Sequence, residues 1–284
     1  MNVYGPQILA RSIASQRIPD QFGNLWQYHP QSDRHSKIAC WAVMFDLLAN
    51  CQLLRRHIEI AKVGFGINHT MTDFSSDRSK DLDLVISIPR SEAPSKQVRF
   101  HDLVDDYGIQ LDTDELRVLE SLPRLDERPV GDVLLALEAK AAMGAHVRAG
   151  PRLFDELTSA WQCINGSAPQ AIAVALGMVN ASSEFISPKM NRHNLTEKAA
   201  VVGREAQPNG AQHIQRRFHE LRVRDHTSER GYDAVGVITI STRNDGGNIS
   251  VVNGPPALSQ QDSMNYERMI LRVAGLYDGR FTAR

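Results

Sequence analysis

Cysteine is scarce in this chain of 284 residues, which contains only Cys40, Cys51 and Cys163. No two of them form a Cys-x-x-Cys pair, and three cysteines cannot all be joined in disulfides. The sequence therefore predicts neither a disulfide framework nor a cysteine zinc site. Such sparing use of cysteine is typical of a reducing compartment, and we expect a cytoplasmic protein.

Long apolar runs are also absent. No stretch of about 18 consecutive apolar residues occurs, and the N-terminal sequence has no apolar run of signal-peptide length. These absences argue against membrane insertion and secretion. An excess of one charge is missing too, because 32 Lys+Arg residues stand against 33 Asp+Glu residues. Any binding of nucleic acid must then come from a local basic patch.

Several well-known site motifs are missing. There is no G-x-S-x-G nucleophile elbow, no G-x-x-x-x-G-K-[ST] phosphate loop, no G-x-G-x-x-G and no H-E-x-x-H. What the chain does have is 42% hydrophobic and 23% charged residues, a composition typical of a folded globular protein rather than a disordered or fibrous one. Its length suits one large domain or two small ones.

The spacing of apolar residues predicts alternating helices and strands. A helix is expected over residues 38–53, with Ser32 or Asp33 able to cap its start. Short apolar runs predict strands at residues 58–67, 82–88 and 133–137, then a helix at 151–163 opened by Pro151 and a strand at 171–179. The first part of the chain thus reads as a helix, three strands, a helix and a strand.

The rest of the chain carries an insertion and an extension. Residues 90–131 are rich in Asp and Glu and are predicted to be a solvated excursion. Residues 180–207 read as irregular connection. We then expect a helix at 211–224, a hairpin of 234–242 and 249–252 turned by Asn244-Asp245-Gly246-Gly247, and a final helix at 262–277.

Acidic and basic residues stand at the ends of two predicted strands. Asp83 precedes the apolar run of the second strand, and Glu138-Ala139-Lys140 follows that of the third. If these strands pair antiparallel, the start of one lies beside the end of the other, so Asp83 comes next to Glu138. Side chains alternate along a strand, so Glu138 and Lys140 share a face. Two carboxylates and one ammonium group then meet at one edge of the sheet.

Two close carboxylates repel each other unless a cation lies between them, and a pocket of hard oxygen ligands suits Mg²⁺. A neighbouring lysine can orient or help to deprotonate a metal-bound water and can balance charge on a phosphate. The residue types therefore favour hydrolysis of a phosphodiester.

This arrangement resembles the PD-(D/E)xK nuclease superfamily over about residues 33–180, with Leu82 where the family has proline and a long gap before Glu138. The resemblance implies an α/β fold with a restriction-endonuclease-like mixed central sheet flanked by helices. It implies a single nuclease-like domain over residues 1–284, with the acidic insertion at about 90–131 and a C-terminal extension of helix and hairpin at about 208–284. Asp83, Glu138 and the main-chain carbonyl of Ala139 would ligate the metal, and Lys140 would serve the attacking water.

By the same resemblance the protein would be a Mg²⁺-dependent DNA endonuclease of restriction or defence type, with Mn²⁺ as a possible substitute. It would act as a homodimer so that both strands are cut, with no membrane partner. Two other readings stay open. The first is a non-catalytic module of nuclease-like fold that binds nucleic acid or protein. The second is a protein that mainly assembles with itself or with other subunits.

The individual residues have plainer readings as well. Asp83 can be a turn residue, and Glu138 and Lys140 can be solvated residues at a strand end. Asp81, two residues before Asp83, is either a second metal ligand or a loop acid. Asp46 is either an additional acid supplied by the first helix or a residue on that helix's wet face.

Basic residues follow the motif and suit contacts with phosphate groups. Arg148 and Arg152 lead into the predicted helix at 151–163, and Arg216 and Arg217 lie on the one at 211–224. The alternative for the second pair, and for Arg224 at the end of that helix, is an ordinary solvated helix face.

Overall fold

A central sheet organises the computed structural model, which describes residues 2–91 and 98–282. Within these ranges the chain forms ten strands: β1 Ile18–Pro19, β2 Leu25–Trp26, β3 Gly64–Asp73, β4 Arg78–Pro89, β5 Val130–Ala142, β6 Ile172–Asn180, β7 Glu184–Phe185, β8 Gly203–Arg204, β9 Ala234–Ser241 and β10 Ser250–Val251. The same ranges form eight helices: α1 Gly5–Ser15, α2 Arg34–Asn50, α3 Gln52–Glu59, α4 Leu103–Tyr107, α5 Thr113–Ser121, α6 His146–Ser167, α7 Asn209–His219 and α8 Tyr266–Phe281.

The central sheet has six strands in the order β10-β9-β6-β5-β4-β3. Strands β3, β4 and β5 form an antiparallel meander, β5, β6 and β9 are parallel, and β10 returns antiparallel beside β9. A mixed α/β sheet flanked by helices was predicted and is confirmed. The hairpin made by β9 and β10 is confirmed as well, with Asn244 in the left-handed conformation at φ 61 within its turn.

Helices cover both faces of this sheet, and each face has its own apolar core. On one face, α2 packs on β5 and β4, with α1 and α8 beside it. On the other face, α6 packs on β3, β4 and β5, and α7 packs on α6 and β6. Helix α2 is buried on nearly all sides, which explains why its sequence lacks a clear polar stripe.

Two predicted boundaries in the first half of the chain are wrong. The helix predicted at 38–53 begins at Arg34 and ends at Asn50, because Cys51 is extended and a separate helix, α3, follows. The strand predicted at 58–67 begins only at Gly64. Ile58 is instead a buried residue of α3, since a short apolar run fits a helix face as well as a strand.

The prediction that residues 90–131 form a solvated excursion is also wrong. Residues 92–97 lie outside the described ranges, but the segment from 98 to 127 supplies part of the core. Its buried residues include Phe100, Leu103, Leu119 and Leu125. The ring of Phe100 stacks on Trp41 of α2, with centroids 4.8 Å apart. Apolar residues scattered among the acids therefore decide the position of this segment.

Later elements are shifted relative to prediction. Helix α6 begins at His146, so Pro151 lies inside it rather than at its first position. Pro151 and Val147 are exposed, so water can bond the carbonyl that the proline leaves free. Helix α7 ends at His219, and α8 begins after Asn265, whose side chain caps it by accepting from the Glu267 N–H. Residues 180–207 include the short pair β7 and β8, and α1 was not predicted.

Among the described residues, no single helix is both long and apolar enough to cross a membrane. Only α2 and α3 taken together meet that test, and they are bent by 95° relative to each other.

Candidate active site

The sheet forks between β4 and β5. Their pairing stops at Leu84 and Leu137, whereas β4 continues beside β3 as far as Arg78 and β5 continues beside β6 as far as Ala142. Asp83 and Glu138 are the first residues beyond the last pair, so they stand at the apex of the gap. The predicted antiparallel neighbourhood of these two acids is present in the structure.

Strand β4 also changes face at this point. Leu82 and Leu84, two residues apart, belong to the cores on opposite sides of the sheet, although regular alternation would put them on the same side. Asn68 of β3, which lies opposite Asp83, has φ 50, in the left-handed region. This irregularity brings Lys80 of β4 to the side of the sheet that Glu138 occupies.

Asp83 is tied to the partner strand across the fork. Its Oδ2 accepts a hydrogen bond from the Ala139 N–H at 2.9 Å. The N–H and C=O of one strand residue point to the same neighbouring strand, so the Ala139 carbonyl is also directed into the gap. The Ser36 side chain, on the first turn of α2, lies close enough to this carboxylate to lower its pKa.

Glu138 is the most deeply buried member of the site, with 1% of its surface exposed. Its Oε1 lies 2.5 Å from the Lys140 Nζ and 3.6 Å from the Lys80 Nζ. Its Oε2 is buried without a hydrogen-bond partner among the described residues. An unpartnered buried carboxylate oxygen is costly, so its presence calls for an explanation.

The charges of the cluster perturb one another. Burial raises the pKa of Glu138 above its ordinary value, and the Asp83 charge raises it further against the opposing effect of Lys140. Burial likewise raises the pKa of Asp83, with Lys140 acting against it. For Lys140, burial lowers the pKa, but the two carboxylates outweigh burial and raise it. For both acids, the effect of burial on the pKa therefore outweighs that of the lysines.

The start of α2 borders the cluster. The ring of His35 packs against that of Tyr28, with centroids 4.8 Å apart. Burial, with the Lys140 charge as the next contribution, lowers the pKa of His35 to about 4. His35 is thus neutral near pH 7. Tyr28 is held in place by Asn244, whose Oδ1 accepts from the Tyr28 N–H at 2.8 Å.

The two other candidate acids lie elsewhere. Asp81 is exposed and accepts a hydrogen bond from the Thr70 hydroxyl at 2.5 Å, and it belongs to β4 rather than to a loop. Asp46 is fully buried, so it is not on a wet helix face as predicted. It lies ten residues beyond Ser36 on α2, roughly 15 Å along the helix. Its oxygens accept from Tyr4, Gly5 and Tyr266 instead.

The candidate phosphate-binding arginines lie on α6 and α7. Arg148 and Arg216 are exposed, and Arg152 is exposed with its Nε 2.6 Å from the Glu156 Oε1. Arg217 lies 2.7 Å from the Glu220 Oε2 and packs near Gly150 of α6. The four arginines therefore decorate two helices that contact each other.

Arg224 is not part of that surface. The sequence left Arg224 open between a phosphate contact and a solvated helix face, but this residue lies beyond α7, buried, with its Nη2 2.8 Å from the Asp233 Oδ2. Arg280 bonds the other oxygen of Asp233. These residues tie α8 and the start of β9 together, which is a structural role.

Lys80 is the residue of the cluster that sequence reasoning missed. Regular alternation puts it on the opposite face from Asp83, and nothing in its immediate neighbours marks the change of face in β4. The one signal was Asn68, a residue type that tolerates the left-handed conformation and directly follows the strand predicted at 58–67. Ser36 and His35 were missed because they lie far from the motif in sequence.

The donor set of this site fits a divalent cation. Hard oxygen ligands are present in Asp83, in Glu138 with its unpartnered Oε2, and in the Ala139 carbonyl. The part of the chain that the structure describes holds no group of three or more His, Cys, Asp or Glu side chains arranged for a metal. A cation here would accordingly depend on two carboxylates, one carbonyl and water. Comparison of the chain with family models, curated proteins and solved structures gives no match.

Proposed function

We propose that the protein hydrolyses phosphodiester bonds of nucleic acid with the help of Mg²⁺, as a DNA endonuclease. The observation that carries this proposal is the buried Oε2 of Glu138, which lies beside Asp83 at the apex of the fork and has no hydrogen-bond partner within residues 2–91 and 98–282. Such an atom costs the fold free energy, whereas a cation site can use it as a ligand. The order of a helix, three strands, a helix and a strand supports the same superfamily resemblance.

Asp83, Glu138 and the Ala139 carbonyl would hold the ion. When bound, Mg²⁺ supplies polarisation of a phosphate oxygen and a lowered pKa for its water. The Ala139 N–H keeps the Asp83 carboxylate oriented toward the gap. Lys140, whose Nζ lies 2.5 Å from the Glu138 Oε1, would orient the attacking water and balance charge on the phosphate.

The wider surface is consistent with a nucleic-acid substrate. Arg148 and Arg152 lie on the first turns of α6, which follows β5 directly, and Arg216 and Arg217 extend the basic surface onto α7. Such residues bind the phosphate backbone without reading sequence. We further propose cytoplasmic action as a homodimer of restriction or defence type, since two copies of one site cut two antiparallel strands.

Cleavage assays test this proposal. Purified protein is incubated with supercoiled and linear DNA in Mg²⁺, Mn²⁺ or Ca²⁺, beside Glu138→Gln and Lys140→Met variants. We expect cleavage by the wild type in Mg²⁺ or Mn²⁺ and at least a hundredfold loss in Glu138→Gln, on the order of what removal of a key catalytic group costs. Asp81→Asn is the matched control, because Asp81 is an exposed acid of the same strand bonded to Thr70.

The competing function is a non-catalytic module that binds nucleic acid or protein. Equal cleavage by all variants would assign the activity to a contaminant. Absence of cleavage by folded protein on DNA and RNA, with nucleic-acid binding unchanged in Glu138→Gln, would favour the binding module. A protein that forms a large assembly and neither cleaves nor binds nucleic acid would favour the interpretation as a self-assembling protein.

A further inference from the structure

The site contains a second lysine whose position the motif does not explain. Lys80 lies on β4, with its Nζ 3.6 Å from the Glu138 Oε1, the same oxygen that Lys140 contacts at 2.5 Å. Its side chain is 23% exposed and that of Lys140 is 22% exposed, so both side chains are partly open to solvent. Two ammonium groups therefore share one carboxylate oxygen of Glu138, while its Oε2 has no hydrogen-bond partner in the described part of the chain.

The charges of this cluster balance without any cation. Asp83 and Glu138 carry two negative charges, and Lys80 and Lys140 carry two positive ones. A divalent ion that enters the fork must therefore compete with the two lysines for the same carboxylates. Once the ion is in place, the cluster carries excess positive charge, which a phosphate group can neutralise. Binding of the ion therefore makes binding of a phosphate group electrostatically more favourable, and the reverse also holds.

We propose that Lys80 is a positioning residue that holds Glu138 in the absence of substrate, competes there with the divalent cation, and moves to a phosphate group when nucleic acid binds. This inference rests on the proposed function, because it takes the fork to be a cation site. Lys80 thereby couples the binding of the cation to the binding of nucleic acid. By linkage, nucleic acid tightens cation binding by the factor by which the cation tightens nucleic-acid binding.

Calorimetric titration of full-length protein with Ca²⁺, alone and with a short DNA duplex, tests the coupling. Lys80→Met removes the competing charge and keeps the apolar stem. Lys62→Met is the matched control, since Lys62 is a partly buried lysine near the opposite end of β3. We expect Lys80→Met to bind Ca²⁺ alone roughly fivefold more tightly than the wild type and Lys62→Met, a size typical of one partly exposed ion pair.

We also expect the duplex to tighten Ca²⁺ binding less in Lys80→Met than in the wild type. Lys80→Gln serves as a second variant, and circular dichroism melts establish that each variant is folded. Unchanged or weaker Ca²⁺ affinity in both variants would overturn the role of Lys80. So would an equal effect of the duplex on wild type and variants, or absence of Ca²⁺ binding by all of them.

Failure of this inference is distinguishable from failure of the proposed function. An enzyme that cleaves DNA in Mg²⁺, loses activity in Glu138→Gln and shows unchanged Ca²⁺ affinity in Lys80→Met refutes only the coupling. A protein that never cleaves but binds Ca²⁺ more tightly in Lys80→Met refutes hydrolysis and retains the role of Lys80.

Discussion

Asp46 gives this protein a stability that falls as pH rises through the weakly acidic range. The carboxylate is fully buried in α2 and accepts from the Tyr4 N–H at 2.8 Å, the Gly5 N–H at 2.8 Å and the Tyr266 hydroxyl at 2.9 Å. Burial raises its pKa from 3.8 to about 6, against the effect of these three donors. The folded state therefore holds its proton more tightly than the unfolded chain.

The size of the effect follows from this difference. A folded pKa above the unfolded one means that the contribution to stability is fully present below pH 3.8 and is lost as pH rises through about 6. Each unit of difference between the folded and unfolded pKa corresponds to about 1.4 kcal/mol, so the free energy of unfolding falls by about 3 kcal/mol. Asp46→Asn removes the titration, and its amide is uncharged like the protonated carboxyl.

Urea unfolding of the wild type and Asp46→Asn, at a series of pH values from about 3.5 to about 7, measures the effect. Other groups titrate in both proteins and cancel in the difference. As pH rises over this range, we expect the free energy of unfolding of the wild type to fall by about 3 kcal/mol relative to that of Asp46→Asn. Tyr266→Phe, which lacks a donor to the carboxylate, should shift the loss to higher pH. A difference that stays flat, or that favours the wild type as pH rises, would show that the fold does not raise the pKa of Asp46.

Two further substitutions test the packing described above by urea unfolding. Asp233→Asn should lower the free energy of unfolding by about 3–5 kcal/mol, because it leaves Arg224 buried without its full ionic partner. A loss below about 1 kcal/mol would contradict the structural role of this ion pair. Phe100→Ala should cost about 3–5 kcal/mol through the lost stacking on Trp41, whereas Asp102→Ala in the same segment serves as an exposed control. Equal stability of Phe100→Ala and wild type would show that residues 98–127 do not support the core.

The approach of Asp83 to Glu138 and Lys140 could be predicted because it depends on two local rules. Antiparallel pairing sets the ends of neighbouring strands side by side, and alternation sets Glu138 and Lys140 on one face. Lys80 could not be predicted in this way. Its position depends on a change of face in β4, which coincides with the left-handed conformation of Asn68 on β3 and with the end of pairing with β5.

The surroundings of α2 illustrate a second limit. The periodicity of residues 38–53 indicated a helix, and a helix on the surface of a sheet has a wet face. That face is covered by α1, by α8 and by the segment that contains Phe100. The lack of a clear polar stripe in α2 is a local sign of burial, but the elements that cover Asp46 are set by long-range packing.

The two acids of the fork differ in what they offer the folded chain. Asp83 satisfies the Ala139 N–H, a backbone donor that has lost its strand neighbour, so a descendant that no longer needed the chemistry would still gain from keeping it. Glu138 spends folding free energy on an Oε2 that has no partner among the described residues, and its Oε1 pairs only with Lys140 and Lys80 of the same site. Under relaxed selection, Glu138 should be the first of the pair to drift to a neutral side chain. Its retention among descendants of this chain would then be the better evolutionary marker of a working site.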